Sequence, residues 1–143
     1  MKTRMIQFAA VFALIVLITS LSQAQMPIKQ LMMRAHIPFP FVAGGVHLPA
    51  GDYIVYHPGD PYLVVVERAD GKARGMEYIH PSATDPNASN SKLVFNKYGE
   101  KYFLAQVWTE PDREMHQCFR CRLEKALLAQ DRRPQSVVVA ANR

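Results

Sequence analysis

Between Arg34 and Trp108 apolar and polar side chains alternate with a period of two, and turn-forming residues interrupt the alternation where hairpins need them. In Ala35–Phe41 the residues Ala35, Ile37, Phe39 and Phe41 share one face, while His36, Pro38 and Pro40 share the other. Two prolines cannot both serve a central ladder, so the pattern predicts an edge strand here. Ala43-Gly44-Gly45 supplies a reversal, and Leu48-Pro49-Ala50-Gly51-Asp52 a second turn ahead of a strand at Tyr53–His57. The β-branched run Tyr62–Ala69 is the next strand, joined by a two-residue hairpin at Asp70-Gly71 to Lys72–His80. Residues 81–90 have no periodicity and read as a long exposed loop, with Asn87-Ala88-Ser89 in the form of a glycosylation acceptor. Leu93–Tyr98 and Lys101–Thr109 form a further hairpin across Gly99-Glu100.

After Thr109 the period changes. Met115, Phe119, Leu123, Ala126 and Leu127 recur at three- and four-residue spacing, which predicts a helix within Glu110–Gln130. Its start is open: Pro111 suits a first turn, and Cys118 suits a late N-cap. Asp131-Arg132-Arg133-Pro134 ends it, and Ser136–Ala140 is β-prone enough to return to the sheet. The whole predicts a mainly β fold, an antiparallel sandwich or partly closed barrel of about six or seven strands with one C-terminal helix over an open end or face.

The first 24 residues break this pattern and read as an export signal. Lys2 and Arg4 precede an apolar stretch from Phe8 to Ile18, and Ser22-Gln23-Ala24 places small residues at a cleavage site. The stretch is shorter than the roughly 20 residues of a spanning helix, so membrane contact is expected through the signal alone. Residues 25–143 then make one exported domain, periplasmic or extracellular, with enough chain for a single core. Removing Lys2 and Arg4 takes the formal charge from +5 to +3, and the remaining basic residues are dispersed. That distribution argues against nucleic acid as a partner.

Candidate chemistry concentrates near the C-terminus. Cys118 and Cys121, the only two cysteines, are spaced C-x-x-C. Inside a regular helix their Cβ atoms would sit about 5–6 Å apart, against about 3.8 Å for a disulfide. With Cys118 at a helix N-cap, the dipole and Arg120 or Arg122 would instead stabilise a thiolate. The rest of the chain lacks the βαβ pattern of thioredoxin-type proteins. A structural disulfide and two partly buried thiols are the other readings. His116 extends the motif to three possible zinc ligands, His116, Cys118 and Cys121. A closed site needs a fourth, from His36, His47, His57 or His80. Arg122 follows Cys121 where attached haem requires histidine, and no phosphate loop, dinucleotide fingerprint or nucleophile elbow occurs, so no cofactor is implied. Asp52, Asp60, Glu67, Asp70, Glu77 and Asp85 fall at turns or outward strand positions, where carboxylates solubilise an edge.

The rings Phe39, Phe41, Tyr53, Tyr98, Tyr102 and Trp108 are expected to line whichever interior exists, as core or as a ligand surface. Three functions follow. A non-enzymatic domain would bind a small apolar ligand or an envelope partner, a redox or metal protein would use Cys118 and Cys121, and a structural protein would offer a strand edge near Ile37 or Val138.

Several segments together resemble a group of small, uncharacterised exported bacterial proteins: Ile37-Pro38-Phe39 with Phe41, Leu48-Pro49-Ala50-Gly51-Asp52-Tyr53, Leu93–Gly99 with Tyr102-Phe103-Leu104 and Trp108, and Leu123–Leu127. The resemblance spans most of residues 25–143 and implies export and a single domain, with no activity, ligand or catalytic residue attached. Cys118 and Cys121 lie outside it. The order of strands, helix and strand is also similar to lipocalin-like barrels, although their early G-x-W is absent.

Overall fold

A computed structural model describes residues 30–85, 90–110 and 113–142. The expected export segment, the acceptor Asn87-Ala88-Ser89 and Pro111 lie outside those residues.

The described chain forms ten strands and one helix. The strands are β1 (Gln30–Ile37), β2 (Phe41–Ala43), β3 (Val46–Leu48), β4 (Gly51–His57), β5 (Leu63–Arg68), β6 (Arg74–Thr84), β7 (Lys92–Tyr98), β8 (Lys101–Thr109), β9 (Glu114–Cys118) and β10 (Gln135–Asn142). The helix α1 spans Arg122–Ala129. Eight strands run in the order β8-β7-β10-β1-β4-β5-β6-β9, and β9 pairs back onto β8, so the sheet closes into an antiparallel barrel. β7, β8 and β9 form a meander, and β10 returns beside β7. That is a Greek key, unlike the up-and-down order of lipocalins.

Alternation fills the interior. Met33, Ala35 and Ile37 of β1, Tyr53 and Val55 of β4, Val64 and Val66 of β5, and Leu93 and Phe95 of β7 are buried in one cluster. A bulge opposite Val94/Phe95 breaks the parity of β8, so that both Leu104 and Val107 reach this core.

β1 is not the expected edge strand. It ladders with β10 on one side and β4 on the other, because the strand ends at Ile37 before Pro38 and Pro40 would have to donate. The chain then crosses the lower end of the barrel, where Phe39 stacks on Tyr102 at 3.9 Å and meets Phe95 edge-on at 5.3 Å. It enters the β2–β3 hairpin, with Val42 paired in parallel to Phe103 of β8. β9 pairs only with the upper parts of β6 and β8, and the hairpin packs into the space left below it. Contact there is backbone-close: a Cβ on Gly44 (φ +58°) would lie 1.7 Å from the Met76 carbonyl oxygen.

The strand at Val138 is likewise interior, between β7 and β1. The helix is shorter than expected, because Glu114–Cys118 is drawn into a ladder on both sides. β-pairing overrides a helical spacing that is only a weak local preference. Part of the expected loop at 81–90 is also strand: β6 continues through Pro81 to Thr84 across a bulge. The hairpin at Asp70-Gly71 is a four-residue loop, closed by the Arg68 N–H donating to the Ala73 carbonyl at 2.8 Å. The strand total exceeds six or seven because β9 takes part of the expected helix and the β2–β3 hairpin adds two short strands.

α1 carries the chain from β9 to β10 across the outer face of β7 and β8. Leu127 packs with Val42, Tyr98 and Phe103. Glu124 is buried beside them, and its Oε1 accepts from Asn96 Nδ2 at 2.8 Å and from the Tyr98 hydroxyl at 3.1 Å.

Candidate functional site

The C-x-x-C pair is split by the barrel wall. Cys118 shares the inward face of β9 with His116 and is buried in the core, whereas Cys121 lies outside, at the N-cap of α1 against the Val42–Leu127 cluster. Both are free thiols. The N-cap residue is therefore Cys121 and not Cys118, and it makes no side-chain capping bond. Burial pushes the Cys118 thiol well up, and the carboxylates of Glu77 and Glu124 add to the effect, the opposite of an activated thiolate. Among the described residues no three histidine, cysteine or acidic side chains are grouped to hold a metal. His36 is at the lower end on Asp52, His47 is on β3, His80 is against Phe119, and the ring of His57 approaches that of His116.

The six candidate rings are not gathered around one space. Phe41 and Tyr53 are core, in edge contact at 5.1 Å, and Phe39 plugs the lower end against Tyr102. Tyr98 lies under α1, and Trp108 lies on the wall with Lys92 Nζ 4.5 Å from its ring. The pattern of β7 also places Phe95 at the centre of these rings.

The space is at the upper mouth, where β1 begins and β4, β8 and β6 end. A cleft of about 440 Å³ lies there, lined by Leu31, Met32, His57, Asp60, Tyr62, Glu110, Glu114 and His116 together with Gln30, Gly59, Pro61, Pro81 and Thr109. That volume is within the usual range for small-molecule sites. None of the six rings borders it.

Local chemistry fixes its walls. The turn from β4 to β5 is tied by Asp60, whose Oδ1 accepts from the Tyr62 N–H at 2.8 Å and whose carbonyl accepts from the Leu63 N–H at 3.2 Å. His57 Nδ1 lies 2.9 Å from the Leu63 carbonyl, which only accepts, so Nδ1 carries the proton and a neutral ring has its lone pair on Nε2. The ring of His116 stands 6.2 Å from that of His57 at 83°, and its Nε2 is 3.7 Å from Glu114 Oε2. In the sequence His57 stands only as a possible fourth zinc ligand and Asp60 only as a turn carboxylate. Their shared cleft arises only when β9 brings His116 alongside.

Glu77 is the second unexpected group. It faces inward with 5% of its surface exposed, and its carboxylate accepts the backbone N–H of Gly44. Burial pushes its pKa up to about 7, opposed by the Gly44 hydrogen bond and reinforced by Glu124. The expectation of an outward, solubilising carboxylate fails at this residue. The signal was present: Glu77 shares the parity of Gly75 and Ile79.

No protein-family model, curated protein or solved structure matches this chain. A second, shallower groove of about 420 Å³ runs along α1 beside Gly45, Cys121, Arg122, Leu123 and Ala126.

Proposed function

We propose that this protein is an exported, non-enzymatic binding domain that takes a small amphiphilic molecule in the upper mouth of its barrel. The observation that carries this reading is the position of the cleft: Phe41, Tyr53 and Phe95 fill the interior, and open space collects where Leu31, Met32 and Tyr62 meet a polar rim. The mouth of a β-barrel is a usual place for a small-molecule site, and here apolar and polar side chains share the lining. Export rests on the N-terminal signal pattern and on the likeness to small exported proteins. The same reading replaces the six rings with the mouth residues as the ligand surface.

A second reading, docking of an envelope partner, is favoured by the outer face of β6. There Met76 and Tyr78 are 52% and 63% exposed, and the Phe119 N–H donates to the Tyr78 carbonyl at 3.1 Å. Apolar side chains grouped on a surface mark interaction sites more often than scattered ones do.

The test is backbone amide shift mapping of the purified protein during titration with octanol, a neutral amphiphile. Saturable shifts at Leu31, His57, Tyr62 and His116 are expected. Shifts confined to the β6 face or to α1 would overturn the mouth reading.

A further inference from the structure

We infer that the ligand of the upper mouth is an organic cation, a primary ammonium or guanidinium group carried on a short apolar body. This inference rests on the proposal that the mouth is a binding site, and it adds the chemical class. The chain as a whole has 17 lysines and arginines against 12 acids. The described lining of the cleft inverts that balance, with Asp60, Glu110 and Glu114 present and no lysine or arginine.

The hydrogen-bonding inventory points the same way. Carboxylates only accept, and His57 has spent its Nδ1–H on the Leu63 carbonyl, so the neutral ring offers an acceptor at Nε2. Donors on the lining side chains are few: the Tyr62 and Thr109 hydroxyls, the Gln30 amide and the His116 ring. A site rich in acceptors is satisfied by a group that only donates, which describes an ammonium or a guanidinium. An anion would meet three carboxylates, with no lysine or arginine among the described lining residues to offset them, an arrangement that disfavours it through like-charge repulsion. Leu31, Met32 and the exposed Tyr62 ring supply contact for the apolar body, and an aromatic face adds attraction for a cation.

The experiment compares octylammonium, octanol and octanoate, which share a chain length and differ in head-group charge. Their affinities are measured by calorimetry on the purified protein at neutral pH, with amide shifts locating each probe. Octylammonium is expected to bind about tenfold or more tightly than octanol, and octanoate more weakly than either. Added salt should narrow the gap. Glu114→Gln, a change on the exposed rim, should reduce the octylammonium-to-octanol affinity ratio, a readout that a general loss of structure would not move selectively. Equal affinity for the three probes at the mouth, or a preference for octanoate, would overturn the cation inference and leave the mouth as a binding site. Failure of all three to shift the mouth amides would overturn both.

Discussion

The backbone N–H of Gly44 donates to the carboxylate of Glu77, joining the β2–β3 hairpin to β6 at the part of the wall that β9 does not reach. An acid is thereby held inside a mainly apolar barrel, with the Gly44 N–H as donor and with Glu124 as an acidic neighbour. Its burial makes the stability of the barrel sensitive to protonation, and the Gly44 contact offsets only part of that effect.

Stability should fall as pH rises through this group. The unfolded carboxyl titrates near 4.5 and the folded one near 7, so the folded state holds the extra proton between these values. The stabilising contribution is fully present below about pH 4.5 and is lost as pH rises to about 7. A shift of this size corresponds to roughly 3 kcal/mol. Thermal melts across this range should show a decline that is markedly shallower in Glu77→Gln, and superimposable profiles for the two proteins would refute the linkage.

Gly44 and Gly45 adjoin and both have positive φ, yet their substitutions should differ. Alanine at 44 collides with the Met76 carbonyl, whereas at 45 nothing lies within 4 Å. Gly45→Ala should cost about 1 kcal/mol from backbone conformation alone, and Gly44→Ala about 3 kcal/mol or more. Urea midpoints of the two variants check this, and equal midpoints would deny the close approach of hairpin and β6.

Native thiol titration should find one reactive cysteine. Cys121 is partly exposed at the start of α1, and Cys118 is buried with its thiol pKa pushed well up. An aromatic disulfide reagent should modify Cys121 in the folded protein and reach Cys118 only on denaturation. Rapid modification of both would place Cys118 somewhere other than the barrel interior.

The legible part of this fold was its alternation. Lys101–Thr109 was read with the bounds it has, and the turn at Gly99-Glu100 stands where Tyr98 pairs with Lys101. Failures came where two sides of the sheet compete for one segment. Met115 and Phe119 keep a helical spacing, yet Glu114–Cys118 ladders to both β6 and β8, a gain that no local pattern displays. Pro38 and Pro40, read as the sign of an edge strand, instead mark the break where the chain leaves β1 and crosses the barrel, so β1 is paired on both sides. The mouth was illegible because its residues, His57, Asp60, Glu110 and His116, are scattered along the chain and meet only through closure.

Glu124 should behave as the anchor of α1. Its Oε1 serves Asn96, Tyr98 and, at 3.7 Å, Arg120 Nε. Glu124→Ala leaves the Tyr98 hydroxyl without that acceptor and should cost about 2–3 kcal/mol. The loss in a Tyr98→Phe background should be smaller. Additive losses in a double-mutant cycle would show that the two side chains do not act together.

The most direct test of the account is a crystal structure of the protein with 8-bromooctylamine, located by the anomalous signal of its bromine. The account predicts the ligand in the upper mouth, with its amine among Asp60, Glu110 and Glu114 and its chain against Leu31 and Tyr62. Bromine among Phe39, Phe41 and Phe95 inside the barrel, or in the groove beside Cys121, would contradict it.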